Sequence, residues 1–173
     1  MKDIYEMPGH LVRRFQQIAV AVFQAEVGSA GSDLTPVQYA ALVTLLKNPG
    51  IDQATLAGLI AYDRTTIGGV VDRLVQKNLA TREVNGRDRR ARSLNITAEG
   101  IATVEHLEPA VLAAQKVMLR GLDGEEAEAF MRLLRKAIAE VNDLSRAPLR
   151  SPGEPIVRQV HVAPHQSLRP KRA

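Results

Sequence analysis

The chain has 173 residues, of which 45% are hydrophobic and 24% charged, a composition typical of a folded globular protein rather than a disordered one. It contains no cysteine, which excludes disulfides, thiol catalysis and every cysteine-ligated metal site. No run of residues is apolar enough for a transmembrane helix or a signal peptide, so we expect a cytoplasmic protein with no contact with a membrane.

Charge is unevenly distributed along the chain. Residues 63–92 carry eight basic and four acidic side chains, whereas the stretches 1–62 and 93–144 are net acidic. The last stretch, 145–173, carries six basic side chains and one acidic. A basic middle segment between acidic flanks is typical of a nucleic-acid contact surface.

The first third of the sequence predicts two helices. Apolar residues recur at spacings of three and four from Pro8 to about Val27, which indicates one long amphipathic helix. A second helix is predicted to start after Thr35, with Pro36 in its first turn and Gln38 completing a capping box. It should end near Asn48, where a proline and a glycine follow.

The next two helices are short and closely connected, as in a helix-turn-helix. The third is predicted over about Gln53–Ile60 with Asp52 as its cap, and the fourth is predicted to be capped by Asp63. Helical spacing places one set of apolar residues of the fourth helix toward the core. These residues are Ile67, Val70, Val71 and Leu74.

A β-hairpin is predicted after the fourth helix. Asn78 suits the left-handed position at the helix end, and two strand-forming runs follow, Leu79–Val84 and Arg92–Ile96. The residues between them begin with Asn-Gly and continue with four charges, so the hairpin has a basic tip.

Two more helices complete the pattern. A long fifth helix is predicted to begin after Thr97 and to bend at Pro109, and a sixth is predicted from a cap at Asp123 to about Leu144. The order of elements predicts a mainly helical fold with a small β-hairpin wing, that is, a winged helix-turn-helix flanked by further helices.

Three groups of residues resemble the MarR family of bacterial transcriptional regulators. They are Leu34-Thr35-Pro36-Val37-Gln38-Tyr39, then Val71-Asp72-Arg73-Leu74 with Asn78-Leu79-Ala80-Thr81-Arg82, and Asp88-Arg89-Arg90 through Leu94, Ile96-Thr97 and Gly100. The resemblance covers roughly residues 8–144. It implies an obligate homodimer in which the first, fifth and sixth helices interleave and two winged modules face duplex DNA. The apolar stripes also exceed what a module of about 65 residues can cover, which favours a dimer over a monomeric six-helix fold.

We accordingly divide the chain into four parts. Residues 1–33 are predicted to form an N-terminal dimerisation helix, and residues 34–97 the winged helix-turn-helix domain. Residues 98–144 are predicted to form C-terminal dimerisation helices. Residues 145–173 are expected to be a largely disordered, basic, proline-rich tail.

The recognition helix and the wing supply the expected DNA-binding residues. Side chains in the first turn of a recognition helix reach base edges and phosphates. At Gly69 the family usually has a polar or basic side chain, so either the backbone approaches DNA closely or the position is tolerant. The expected DNA-binding residues are Arg64, Thr65, Thr66, Gly69, Arg73, Arg87, Asp88, Arg89, Arg90 and Arg92.

The wing residues have separate expected roles. Arg90 lies in the family's Asp-x-Arg pattern and is expected to enter a minor groove, with Asp88 orienting it. Arg73 suits either an ion pair with a wing acid such as Asp88 or a phosphate contact. Phosphate neutralisation is expected of the other wing arginines, Arg87, Arg89 and Arg92.

The first helix carries candidate effector-binding residues. His10, Arg13 and Arg14 form a Pro-Gly-His-Leu-x-Arg-Arg pattern that resembles family members controlling the degradation of hydroxylated benzoate, cinnamate or nicotinate. A guanidinium binds a planar carboxylate bidentately, and an imidazole bonds a ring hydroxyl or ring nitrogen. Phe15 and Tyr39 are expected to form walls of the pocket. The alternative is that these are surface or dimer-interface charges.

The resemblance implies a repressor of a catabolic operon that binds a pseudo-palindromic operator and is released by a small aromatic carboxylate. We expect no catalytic site, metal or cofactor, because the sequence lacks the motifs that carry such chemistry. One alternative is a regulator that answers to lipophilic phenols or drugs, or to no ligand. A second is a winged-helix module that binds RNA or protein, although the recognition helix and wing contain no aromatic residue on which RNA bases would stack.

Overall fold

The computed structural model describes residues 3–84, 92–151 and 153. Within them the main elements are α1 (Pro8–Ser29), α2 (Pro36–Lys47), β1 (Ile51–Asp52), α3 (Gln53–Leu59), α4 (Ile67–Gln76), β2 (Ala80–Val84), β3 (Arg92–Ile96), α5 (Ala98–Met118) and α6 (Gly124–Glu140). Short 3₁₀ turns lie at Ile4–Glu6 and Asn142–Leu144. The predicted fold class, mainly helical with a small β wing, is confirmed.

Local hydrogen bonds set the starts of three helices. At α2 the Thr35 hydroxyl accepts from the Gln38 backbone N–H at 3.3 Å, and the Gln38 side chain accepts from the Thr35 N–H at 3.0 Å. Asp123 and Glu126 form the same reciprocal pair at α6. Asp52 caps α3 by accepting a backbone N–H at 2.8 Å. These predicted caps are confirmed, because each depends only on residues close together in sequence.

The sheet has three antiparallel strands in the order β1-β3-β2. The predicted hairpin is formed by β2 and β3, with Ala80 opposite Ile96 and Val84 opposite Arg92. The third strand, β1, was not predicted. Two residues are too few for an alternating pattern, and β1 exists only because it pairs with the free edge of β3.

Two predicted helix boundaries were wrong. Helix α4 begins at Ile67 rather than directly after Asp63, because the Asp63 carboxylate instead closes a turn by accepting from the backbone N–H of Thr65 at 2.8 Å and from its hydroxyl at 2.5 Å. Helix α6 ends at Glu140, and a 3₁₀ turn rather than α-helix extends to Leu144. Of the expected tail, residue 152 and residues 154–173 lie outside the described residues.

The hydrophobic core lies in the winged module. The last turns of α1 and the first half of α5 cover it. Helix α1 contributes Phe23 and Val27 from its last turns, whereas Leu11 and Ile18 nearer its start are 51% and 47% exposed. Helix α6 contributes no buried residue. The large side chains with no exposed surface come mainly from α2, α3, α4 and β3, with one each from α1 and α5: Leu42 and Leu45, Leu56, Ile67, Val71 and Leu74, Leu94, Val27 and Leu107.

Helix α5 begins in close contact with the turn that ends α4. Asn78 has a φ of +57°, the left-handed conformation that was predicted. The Thr97 hydroxyl donates to the carbonyl of Asn78 at 2.7 Å, and the Thr97 N–H donates to the carbonyl of Leu79 at 3.1 Å. A Cβ atom on Gly100 would lie 2.2 Å from the Leu79 carbonyl oxygen. Only glycine allows this approach.

Replacing Gly100 with alanine is expected to lower the free energy of unfolding by about 2–3 kcal/mol, because the added methyl group meets backbone that cannot rotate away. Urea denaturation followed by circular dichroism measures the loss. Gly28→Ala is the matched control, since a Cβ there meets nothing within 4 Å and alanine favours the helix. Equal stabilities for the two variants would contradict the close-approach argument.

Candidate nucleic-acid interface and effector site

Helix α4 presents one apolar and one polar face. Its core-facing side chains are buried, as the sequence predicted: Ile67, Val70, Val71 and Leu74. The described residues predicted to contact DNA from this helix and its leading turn are all exposed: Arg64, Thr65, Thr66, Gly69 and Arg73. The residues predicted to contact DNA therefore lie on the solvent side of the helix and its leading turn.

The turn before α4 is organised by Asp63. The carboxylate accepts both hydrogen bonds from Thr65, and its second oxygen accepts from the Arg146 guanidinium at 2.6 Å. The bonds from Thr65, followed by that from Arg146, hold the pKa of the Asp63 carboxyl well below its usual range. The carboxylate is therefore ionised at neutral pH, and it fixes Arg64–Thr66 on the outside of the turn.

Two ion pairs fix the orientation of α4. Near its middle, Asp72 accepts from the Arg82 guanidinium of β2 at 2.7 Å, which connects the recognition helix to the wing. At its end, Lys77 pairs with Asp33 in the connection before α2, and this pair lowers the pKa of the Asp33 carboxyl. Arg82 is ten positions from Asp72 and Lys77 is 44 positions from Asp33, in different elements, and neither pair was predicted.

At Gly69 a Cβ would meet nothing within 4 Å, so packing inside the protein does not require glycine there. Arg73 is exposed, and Asp88, its predicted ion-pair partner, lies outside the described residues.

Of the five wing residues predicted to contact DNA, one is among the residues that the structure describes. Arg87, Asp88, Arg89 and Arg90 lie outside the described residues. Arg92 is exposed at the start of β3, opposite Val84 at the end of the ladder. A phosphate contact of Arg92 stays a prediction.

The predicted effector residues of α1 share its first turns. Arg13 and Arg14 are exposed, and Arg13 donates to the Gln17 side chain at 2.9 Å. The His10 ring packs edge-on against Tyr5 with 5.6 Å between ring centroids. Its Nε2 atom is buried and has no hydrogen-bond partner within residues 3–84, 92–151 and 153. A buried ring nitrogen without a partner is costly unless something bonds to it.

The two predicted aromatic walls do not lie together. Phe15 packs against Phe130 of α6 with 5.4 Å between ring centroids, and Tyr39 packs against Phe23 at 6.1 Å. Burial, with a smaller effect of the Glu108 charge, raises the pKa of the Tyr39 hydroxyl. Since Phe23 follows His10 by 13 residues, about 20 Å of helix separates the Tyr39 region from the histidine. One protomer does not bring Tyr39 and His10 into one pocket.

Comparison with known proteins identifies the family of the chain. The model of the MarR family matches residues 32–91. The transcriptional repressor NicR of Pseudomonas putida is 31% identical over 136 residues, which are 79% of this chain and 85% of NicR. The chain belongs to the MarR family. The resemblance seen in the sequence is confirmed.

Two solved MarR-like structures share both fold and sequence with this chain. The PcaV regulator of Streptomyces coelicolor, in complex with its natural ligand, has a TM-score of 0.73 and 31% identity, covering 80% of this chain and 96% of PcaV. BpsR of Bordetella bronchiseptica, whose DNA binding is regulated by 6-hydroxynicotinic acid, has the same TM-score and identity, covering 79% and 96%.

As a MarR-family chain, the protein uses several of its motif residues for architecture rather than recognition. Asn78, Thr97 and Gly100 hold the junction of α4 and α5, and Asp72 with Arg82 connects α4 to β2. Within the described ranges no helix is long and apolar enough to span a membrane. The same ranges hold no group of three histidine, aspartate or glutamate side chains placed to bind a metal ion.

Proposed function

We propose that the protein is a homodimeric repressor that binds a pseudo-palindromic operator in the cytoplasm and releases it when a small aromatic carboxylate binds. The observation that carries the proposal is the exposed face of α4 and its leading turn, with ion pairs in the turn, near the middle of the helix and at its end. Relatives at 31% identity include a repressor and a regulator whose DNA binding responds to an aromatic acid.

The DNA contact follows from the charges of this face. Arg64 in the turn before α4 and Arg73 within the helix are exposed cations. The Thr65 and Thr66 hydroxyl groups in the same turn donate their protons to Asp63, which leaves their oxygens as acceptors. Arginines donate to phosphates or to guanine edges, and a hydroxyl oxygen whose proton is already donated accepts from the amino group of adenine or cytosine. The affinity for DNA should therefore fall as the salt concentration rises, because binding releases counterions from the phosphates.

Replacing Arg64 with alanine is expected to weaken operator binding about tenfold and to reduce the slope of log affinity against log salt by about one, because one cation leaves the interface. Fluorescence anisotropy on the protein's own upstream promoter duplex, at four salt concentrations, measures both quantities. Arg132→Ala, an exposed change on α6, is the control.

Unchanged affinity in the Arg64 variant would contradict the major-groove assignment. Tighter binding of wild-type protein to single-stranded RNA of the same sequence than to the duplex would favour an RNA-binding winged helix instead.

The dimer is supported by apolar surface that one protomer leaves uncovered. Leu133 and Ile138 of α6, and Val141 directly after it, are each about half exposed, and no residue of the helix is buried. Leu11 and Ile18 of α1 and Leu112 of α5 are exposed to a similar degree. A two-fold axis would bury these faces against their own copies and place two α4 helices about 34 Å apart, one turn of DNA.

Replacing Ile138 with glutamate is expected to shift the protein from dimer to monomer, because burial of a charge in the apolar interface costs several kcal/mol. Sedimentation velocity at micromolar concentration measures the shift. Lys136→Glu introduces the same side chain on the opposite face of α6 and should leave a dimer. A wild-type monomer, or a dimeric Ile138 variant, would contradict the proposed interface.

The effector site is proposed at the start of α1. Arg13 and Arg14 offer two exposed guanidinium groups for a carboxylate. The Nε2 atom of His10, which has no hydrogen-bond partner in the part of the chain that the structure describes, would bond a ring hydroxyl or ring nitrogen. These cations favour an acid over a neutral phenol or drug. A ligand lowers operator affinity only if it binds more tightly to the arrangement of the dimer that does not bind DNA than to the one that does. Release therefore requires the effector site to differ between the two arrangements.

Replacing Arg14 with alanine is expected to leave operator affinity within about twofold of wild type and to remove the release caused by aromatic acids, since the bidentate partner is lost. Anisotropy of the protein–operator complex, titrated with 6-hydroxynicotinate and hydroxybenzoates, measures the response. Arg14→Lys keeps the charge without the planar fork and should respond only weakly. An alanine variant that still releases DNA at wild-type ligand concentrations would disprove this role.

A further inference from the structure

The chain after α6 turns back toward the winged module. Asn142 closes this turn with two hydrogen bonds to Leu149, donating from its amide to the Leu149 carbonyl at 2.9 Å and accepting from the Leu149 N–H at 2.8 Å. The closed loop brings the following residues to the end of α3.

The loop contacts the module at two places. The Arg146 guanidinium bonds Asp63 at 2.6 Å, and the Arg150 backbone N–H donates to the Gly58 carbonyl at 3.0 Å. The Arg150 side chain covers Gly58 so closely that a Cβ on Gly58 would lie 2.9 Å from its Cδ. The stretch 145–151 contains two arginines and no acidic residue, although it follows an acidic helix.

Arg146 and Thr65 bond the same carboxylate. Thr65 occupies Oδ1 of Asp63 and Arg146 occupies Oδ2, so the guanidinium lies beside the turn that leads into the recognition helix. The side chain of Arg146 is 86% exposed, whereas that of Asp63 is 25% exposed. A guanidinium has five N–H donors, and a single bond to Asp63 leaves others directed at solvent.

The pair also determines the charge at the edge of the recognition surface. Asp63 is a carboxylate next to the residues proposed to meet phosphates, and an anion there would repel DNA. Arg146 neutralises it. An ion pair this exposed adds little to folding stability, so a stabilising role does not account for the position of Arg146.

We propose that Arg146 is a further DNA-contacting residue, which Asp63 holds beside the turn Arg64–Thr66 so that it donates to a backbone phosphate flanking the groove entered by α4. The inference rests on the proposed DNA binding of α4. It extends the interface beyond the winged module to the segment that follows the last long helix.

The test is the salt dependence of operator affinity in the full-length protein. Arg146→Ala should weaken binding about five- to tenfold at physiological salt and reduce the salt slope by about one, and Arg146→Lys should restore the slope. The melting temperature should change little, because Arg146 is 86% exposed and Asp63 keeps its hydrogen bonds from Thr65. Arg132→Ala serves again as the control.

The outcomes separate the two proposals. Wild-type affinity in Arg146→Ala, together with weak binding by Arg64→Ala, would overturn the role of Arg146 and keep the DNA-binding function. Weaker binding with an unchanged salt slope would show that Arg146 only orders the turn, which also overturns the phosphate contact. Wild-type protein that binds no operator duplex would overturn both.

Discussion

The contact between the start of α5 and the end of α4 is the constraint on which the architecture depends. Gly100 lies against the Leu79 carbonyl where no side chain fits, and Thr97 bonds the carbonyl of Asn78. The recognition helix, the first wing strand and the long helix that leaves the module therefore meet at one backbone junction. Because the junction is a contact between backbone segments, the start of α5 and the end of α4 are fixed relative to each other.

The winged module and the helices that flank it differ in how completely they pack within one protomer. The winged module encloses its own core and carries the ion pairs Asp72–Arg82 and Asp33–Lys77, so its reading surface is rigid within one protomer. Helix α6 and the first turns of α1 instead leave their apolar side chains exposed. The separation suits a regulator, because recognition needs fixed side chains whereas a response needs helices that pack in more than one way.

Sequence reasoning was accurate where the cause of a feature is local. The capping box at Thr35 depends on residues three apart, and the burial of Val70, Val71 and Leu74 in α4 follows from helical periodicity. It was inaccurate where contacts outside the local sequence pattern determine the structure. Strand β1 exists through pairing with β3, the start of α4 is set by the turn at Asp63, and the bond from Arg146 spans 83 positions. The distance between His10 and Tyr39 likewise depends on which end of α1 meets α2, and spacing along the chain does not specify this.

The lack of buried residues in α6 affects how the regulator responds to its own abundance. A 17-residue helix that packs little within its protomer is marginal alone, so in the proposed dimer much of its stability comes from association. Mass action then couples folding to protein concentration. Below the dissociation constant of the dimer, operator occupancy falls with the square of the protomer concentration, because only pairs bind a palindromic site. A modest fall in synthesis would thereby relieve repression steeply, even with no ligand present.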